Sequence, residues 1–182
     1  MKIVKVILPA VFAFVLASCG NDEGSKQVSK EIPREKFIEQ IKKYEDQMHT
    51  SMALDTNLGT IAAKAYGDFA TMFPNDSLSP DFLFKAGEIS TATQQYTQAL
   101  VYYQRICEKY PNFKLAPESL YLQGYLLDNF LNDDAKAKVI YEQVIAKYPA
   151  LPYANDAKAA INNLGKTDEE LIKEFEKKNK GV

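Results

Sequence analysis

The chain holds one histidine, His49, and two cysteines, Cys19 and Cys107, among its 182 residues. Histidine is the side chain that acid–base catalysis and many metal sites draw on first. His49 has no cysteine near it and no serine–histidine–aspartate set to join, and it reads as a surface or helix-capping residue. Cys107 aligns with Ala70 and Ile145 of two similar segments, both at apolar core positions. A small buried hydrophobe is expected there, with a reactive thiol as the alternative. The acidic groups Asp133-Asp134 and Asp168-Glu169-Glu170 stand where helices begin, a place the helix dipole favours for negative charge. They are read as caps rather than metal ligands. All eight glycines are isolated, so no phosphate-cradling loop is present. Nothing in this inventory predicts an enzyme, a cofactor or a metal centre.

Cys19 has a different context. Lys2 and Lys5 form a basic start, and twelve apolar residues run from Val6 to Ala17. That run falls short of the roughly 20 residues a membrane-spanning helix needs. It ends in Leu16-Ala17-Ser18-Cys19, which resembles the lipobox of bacterial lipoproteins, where the chain is cut before the cysteine and lipid is attached to its sulfur. The alternative is an ordinary secretory signal that contains a cysteine. The lipobox reading predicts a signal at 1–18 and a lipid-bearing Cys19. Loss of Lys2 and Lys5 then takes the net charge from -2 to -4. Cys107 is left as the only thiol, which excludes an internal disulfide. Residues 19–32 are polar without apolar period and read as a tether spanning on the order of 20 Å. Gly20 follows the cysteine, where an aspartate would suggest inner-membrane retention. Asp22-Glu23 is either a solvated stretch or similar to the short acidic signals that send some lipoproteins to the cell surface.

The whole chain is 46 % hydrophobic and 25 % charged, with a pI near 5.5, which suits one well-packed domain. That balance gives no concentrated basic face, so nucleic acid is not an expected partner.

The domain at 33–182 is organised by a pattern written three times. Phe73-Pro74, Tyr110-Pro111 and Tyr148-Pro149 lie 37 and 38 residues apart. Twelve residues before each proline stands Ala62, Ala99 or Ala137; eight before stands Tyr66, Tyr103 or Tyr141; five before stands Phe69, Ile106 or Val144. Self-similarity at this period marks a repeat array, in which stacking supplies a core that no unit has alone. Each segment carries an i, i+3/i+4, i+7 apolar stripe and is predicted to be a helix that stops before its proline. Shorter helices are expected between them, opening at Pro80-Asp81, Pro117-Glu118 and Asn155-Asp156. Gly87 and Gly124 fall inside two of these, which predicts close helix–helix approach.

A first helix after Pro33 is marked by Phe37, Ile41, Tyr44 and Met48. A last one opens with the capping-box sequence Thr167-Asp168-Glu169-Glu170 and carries Leu171, Ile172 and Phe175 as an apolar edge. The first is expected to cap the array or to form half of a degenerate pair, and the last to act as a terminal cap. The fold class is all-α, an α-solenoid of about four helical hairpins.

Leu83, Gly87, Ala99, Tyr103 and Pro111 have the spacing of tetratricopeptide repeats, which the chain resembles over roughly residues 55–165. Leu120, Gly124, Ala137, Tyr141 and Pro149 repeat it with one extra residue near Asn132. Leucine replaces the family's tryptophan-like position, and the joints after each proline are longer than usual. The longer joints are similar to those of periplasmic lipoproteins of the BamD type, which assist outer-membrane β-barrel assembly, and to those of a periplasmic cell-division coordinator of the CpoB type.

The resemblance implies a concave groove lined by the first helix of each pair. Its ligand-facing positions fall on Asp81, Phe84 and Glu88, then on Glu118, Tyr121, Tyr125, Asp128 and Asn129, with Asn163 beyond. The aromatic residues would anchor a partner, unless some are buried against a neighbouring repeat. No lysine or arginine falls at these positions, which speaks against a clamp for acidic C-terminal tails. The function the resemblance implies is a lipid-anchored protein–protein scaffold, held to the outer membrane and facing the periplasm, in envelope assembly. A division or peptidoglycan-linked adaptor, and a surface lipoprotein that captures a nutrient or glycan, are the alternatives.

Overall fold

The computed structural model describes residues 32–50 and 55–179. Cys19, the signal at 1–18 and the tether up to residue 31 lie outside the described residues. Eight helices form, and no strand is present among the described residues: α1 (Arg34–Thr50), α2 (Thr56–Met72), α3 (Ser79–Ala92), α4 (Tyr96–Lys109), α5 (Ala116–Asn129), α6 (Asp134–Lys147), α7 (Pro152–Asn163) and α8 (Asp168–Asn179). From α1 to α7 each helix packs on the next, and α5 also reaches α7. Neighbour-on-neighbour packing of helix pairs is an α-solenoid.

The three long-spaced segments are α2, α4 and α6. All nine registered positions, from Ala62 to Val144, are at most 2 % exposed. Each helix ends as its proline requires. The residue before the proline has left helical geometry, with φ between -123° and -131°, while its N–H still closes the last turn. Those bonds run from Phe73 to Phe69, Tyr110 to Ile106 and Tyr148 to Val144, at 2.8 to 2.9 Å. The following joints pair backbone in the same way, Asp76 to Phe73 and Phe113 to Tyr110, for example.

Close approach is present at the glycines. A Cβ built on Gly87 would lie 2.5 Å from Tyr103 Cε1, and one on Gly124 would lie 2.7 Å from Tyr141 Cδ1. The repeat tyrosine therefore fills the notch that the glycine of the preceding helix leaves. The turns that close these two hairpins place Gln94 and Asn132 at φ 62° and 51°. Asparagine tolerates this left-handed region better than most residues.

The N-terminal helix is tied on by charge as well as by Phe37 and Ile41, its two buried residues. Arg34 grips the Asp76 carboxylate through Nε and through Nη2, the latter at 3.2 Å. Glu45 Oε1 accepts from Tyr66 Oη at 2.6 Å and from Lys85 Nζ at 2.7 Å, joining α1 to α2 and α3.

Two expectations change at the C-terminal end. The helix α7 opens at Pro152, not at Asn155-Asp156, which lie a turn inside it. The joint after Pro149 is shorter than the other two, and Pro152 suits the first helical position. The capping box of α8 forms, with Thr167 N–H donating to Glu170 Oε2 at 2.9 Å and Glu170 N–H to Thr167 Oγ1 at 3.3 Å. Its apolar edge is not covered, however. Ile172 is 57 % and Phe175 67 % exposed, and only Leu171 is half-buried against the body.

Candidate partner-binding cleft

The cleft is built on α5, whose two faces do different work. Leu120, Gln123 and Leu127 face the core side, while Tyr121, Tyr125, Asp128 and Asn129 fall on the opposite side of the helix. Those four line a cleft of about 680 Å³. Asn163 of α7 lines it as well.

The floor is aromatic and held in place. The Tyr121 ring lies 5.7 Å from both Tyr141 and Tyr153. It is half-buried and supports the hairpin while showing one edge to the cleft. Tyr125 is 37 % exposed and meets Phe130 edge-on at 5.7 Å. Phe130 in turn stacks on Tyr96 at 4.2 Å, so this exposed corner is rigid. The Tyr141 hydroxyl donates to Asp128 Oδ2 at 3.3 Å. Burial pushes the Asp128 carboxyl above its ordinary value, and repulsion from Asp134 adds to this against the Tyr141 hydrogen bond. Asn129 uses its amide on its own helix, donating to the Tyr125 carbonyl at 3.0 Å.

Half of the anticipated groove does not join this cleft. Phe84 is 8 % exposed and packs on Tyr103 with ring centres 5.7 Å apart, so it is a core residue and not an anchor. The Tyr103 ring that enters the Gly87 notch brings it there. Asp81 sits 3.8 Å from Lys114 Nζ, an ion pair across the joint between hairpins. Glu88 is exposed, and burial of its carboxyl followed by the nearby Glu118 raises it. Asp81, Glu88 and Glu118 are therefore an acidic strip outside the cleft lining.

Several lining residues were missed from the sequence. Asn132 comes from the α5–α6 turn, Asp134 from the start of α6, Asp156 from α7, and Lys166 and Leu171 from the last segment. Asn132 carries the one visible signal, as the extra residue in its repeat. Lys166 places a cation where none was expected, but both Glu174 carboxylate oxygens accept from it at 2.8 Å. The cleft thus keeps an excess of carboxylates beside its tyrosines.

His49 and Asp133 fall where the sequence put them, whereas Cys107, expected as a buried core hydrophobe, is only partly buried and lines a cleft. His49 is exposed in the last turn of α1. Asp133 caps α6 by accepting from Lys136 N–H. Cys107 is half-buried, accepts from Gln123 Nε2 at 3.2 Å, and has its thiol pushed up chiefly by burial, which makes it a poor nucleophile. No group of three metal-ligating side chains is found among the described residues.

Comparison with curated proteins finds no match. Residues 81–112 and 118–150 each match the tetratricopeptide repeat, one hairpin apiece, α3–α4 and α5–α6. Over these two segments the chain is similar to the tetratricopeptide repeat, and repeats of this kind typically serve as non-catalytic protein–protein interaction scaffolds.

Proposed function

We propose that this scaffold is lipid-anchored through Cys19 and holds a protein segment in the α5 cleft as part of cell-envelope assembly. The observation that supports partner capture is the cleft itself. Exposed Tyr125 and the edge of Tyr121 supply an apolar surface, and Asp128, Asp134 and Asp156 surround it with negative charge. Aromatic anchors supply affinity and complementary charge steers encounter. The partner segment is therefore apolar and basic. The lipobox sequence at Leu16–Cys19 supports the anchor, and the polar run after it supplies the reach.

A photo-crosslinking amino acid at Tyr125, used in intact cells, tests partner capture. Recovery of a discrete envelope protein from that position, and not from exposed Lys138 on α6, is the expected result. Equal recovery from both positions would move the binding surface elsewhere. Labelled palmitate tests the anchor independently. It should enter the natural chain and not the Cys19→Ala variant, and persistent label in that variant would rule out the lipobox.

A further inference from the structure

The two joints between successive long-spaced helices are equivalent in register but not in filling. Counting back from each proline, Gly67 of α2 corresponds to Gln104 of α4, and Tyr102 of α4 to Ile140 of α6. Arg105 corresponds in the same way to Gln143, and, counting forward from Pro80 and Pro117, Ser90 of α3 corresponds to Leu127 of α5. In the first joint the Tyr102 ring occupies the notch at Gly67, 2.5 Å from where a Cβ would stand. Arg105 then closes it, donating to the Gly67 carbonyl at 3.4 Å and to Thr71 Oγ1 at 3.0 Å. A cleft of about 360 Å³ is left, with polar Ser90, Gln95 and Gln98 in its wall.

In the second joint both closing devices are missing. Gln104 removes the notch, Ile140 lacks the ring, and Gln143 lacks the reach of an arginine. A cleft of about 670 Å³ remains, walled by Leu100, Cys107, Leu120, Leu127, Val139 and Ile140. It lies on the side of α5 opposite the tyrosine cleft, and nothing said of it depends on that site. Its size falls within the roughly 300–1,000 Å³ of ligand pockets, and an apolar wall with a few polar groups at the edge is their usual composition.

We propose that this second joint binds the acyl chain of an anionic amphiphile, with the chain along the aliphatic wall and its carboxylate at Lys147. Two observations choose this occupant. The wall is helical throughout, so its backbone N–H and C=O groups are already paired and offer no edge for strand addition. An extended peptide would find no ladder partner in this backbone, whereas an acyl chain needs none and can lie along Leu100, Leu120, Leu127, Val139 and Ile140. At the rim Lys136 is tied to Asp133 at 2.6 Å, while Glu108 accepts from the neutral Gln104 amide at 2.7 Å and keeps its charge. Exposed Lys147 is in no such pair among the described residues and stands at the cleft mouth. The cleft therefore offers a hydrocarbon wall and one available ammonium.

Titration calorimetry on the full chain carrying Cys19→Ser, which removes covalent lipid, tests this with sodium dodecanoate below its micelle-forming concentration. Dodecanol and dodecylamine are the controls. Dodecanoate is expected to bind at one site and to raise the melting temperature. Lys147→Glu should weaken dodecanoate at least fivefold and leave dodecanol unchanged. Gln104→Gly with Ile140→Tyr rebuilds the first joint in the second and should abolish binding. Should that variant fail to fold, Val139→Glu places a carboxylate at a wall position that is already 53 % exposed, and it should weaken dodecanoate at least tenfold. Absence of binding to the Cys19→Ser chain overturns the proposal. So does equal binding to the refilled or Val139→Glu variant, or dodecylamine binding as tightly as dodecanoate. Concentration-dependent dimerisation that the same variants abolish would assign the cleft to a second copy of the chain instead.

Discussion

Gly124 and Tyr141 are a lock: a methyl group on the glycine would lie 2.7 Å from two atoms of the tyrosine ring. Gly124→Ala should gain helix propensity, worth about 1 kcal/mol, and lose more through overpacking, about 1–3 kcal/mol. The net expectation is a lower melting temperature. Denaturant melts against the natural chain decide the matter, and a stabilised Gly124→Ala would mean that the ring moves aside freely.

Ala137 is fully buried and Lys138 beside it is exposed. Ala137→Glu buries an unpaired charge between α5 and α6, and breaking a buried pair in that way typically costs about 3–5 kcal/mol. Lys138→Glu forfeits only a 4.0 Å contact with Glu142 on the helix surface, for which a few tenths of a kcal/mol is ordinary. Circular dichroism melts of the two variants should differ widely, and coincident curves would contradict the packing described for α6.

Ser90 is fully buried, and its hydroxyl oxygen has no hydrogen-bond partner. Leaving such a group unsatisfied costs about 1–3 kcal/mol. Ser90→Ala should therefore stabilise the chain, by about 1 kcal/mol once the lost packing of the oxygen is offset. A destabilised Ser90→Ala variant would show that the hydroxyl is satisfied in solution.

Acid should weaken the attachment of α1. Burial pushes the Glu45 carboxyl up, but the Lys85 ammonium and the Tyr66 hydroxyl outweigh it and leave it below its ordinary value. The hydrogen bond from Arg34 lowers Asp76, against a smaller upward push from burial. A carboxylate lowered in the fold binds its proton more weakly there than in the unfolded chain. The stability it contributes is thus present above the unfolded value, about 4, and is lost as pH falls through the lowered folded value. Asp128 and Glu88 are raised and act with the opposite sign. Melting temperature should fall on acidification below about pH 4. Glu45→Gln with Asp76→Asn should begin lower at pH 7 and fall less over that range. Parallel curves for the two proteins would remove these ion pairs from the account.

In the cleft, Tyr125 and Tyr121 should separate binding from folding. Tyr125→Ala removes an exposed anchor and is expected to cost about 2 kcal/mol or more of partner affinity with an unchanged melting temperature. Tyr121→Ala also strips a ring that lies against Tyr141 and Tyr153, so it should lower both. Loss of stability in Tyr125→Ala, measured beside a pull-down of the crosslinked partner, would show that this ring belongs to the core.

The helices, their ends and the nine buried repeat positions were legible in the sequence because each depends on local causes. A 3.6-residue apolar period, a proline one residue past the last turn and a capping box act within a few residues of where they are written. The close approach at Gly87 and Gly124 was legible for the same reason, since a costly residue repeated in register implies a neighbour. What covers a side chain is a non-local quantity. Phe84 looked like a groove anchor by its place in the repeat, and the Tyr103 ring made it core. Tyr121 lines the cleft but shares its faces with rings from α6 and α7, and the cleft in front of it is completed by Asp156, Lys166 and Leu171. The helix α7 began a turn early because the shorter joint and Pro152 overrode the register of the two earlier repeats. The unequal joints depend on the volumes of pairs that lie 35 or 36 residues apart, Gly67 with Tyr102 and Gln104 with Ile140. Spacing fixed which residues would face each other, and only packing decided how much space they left.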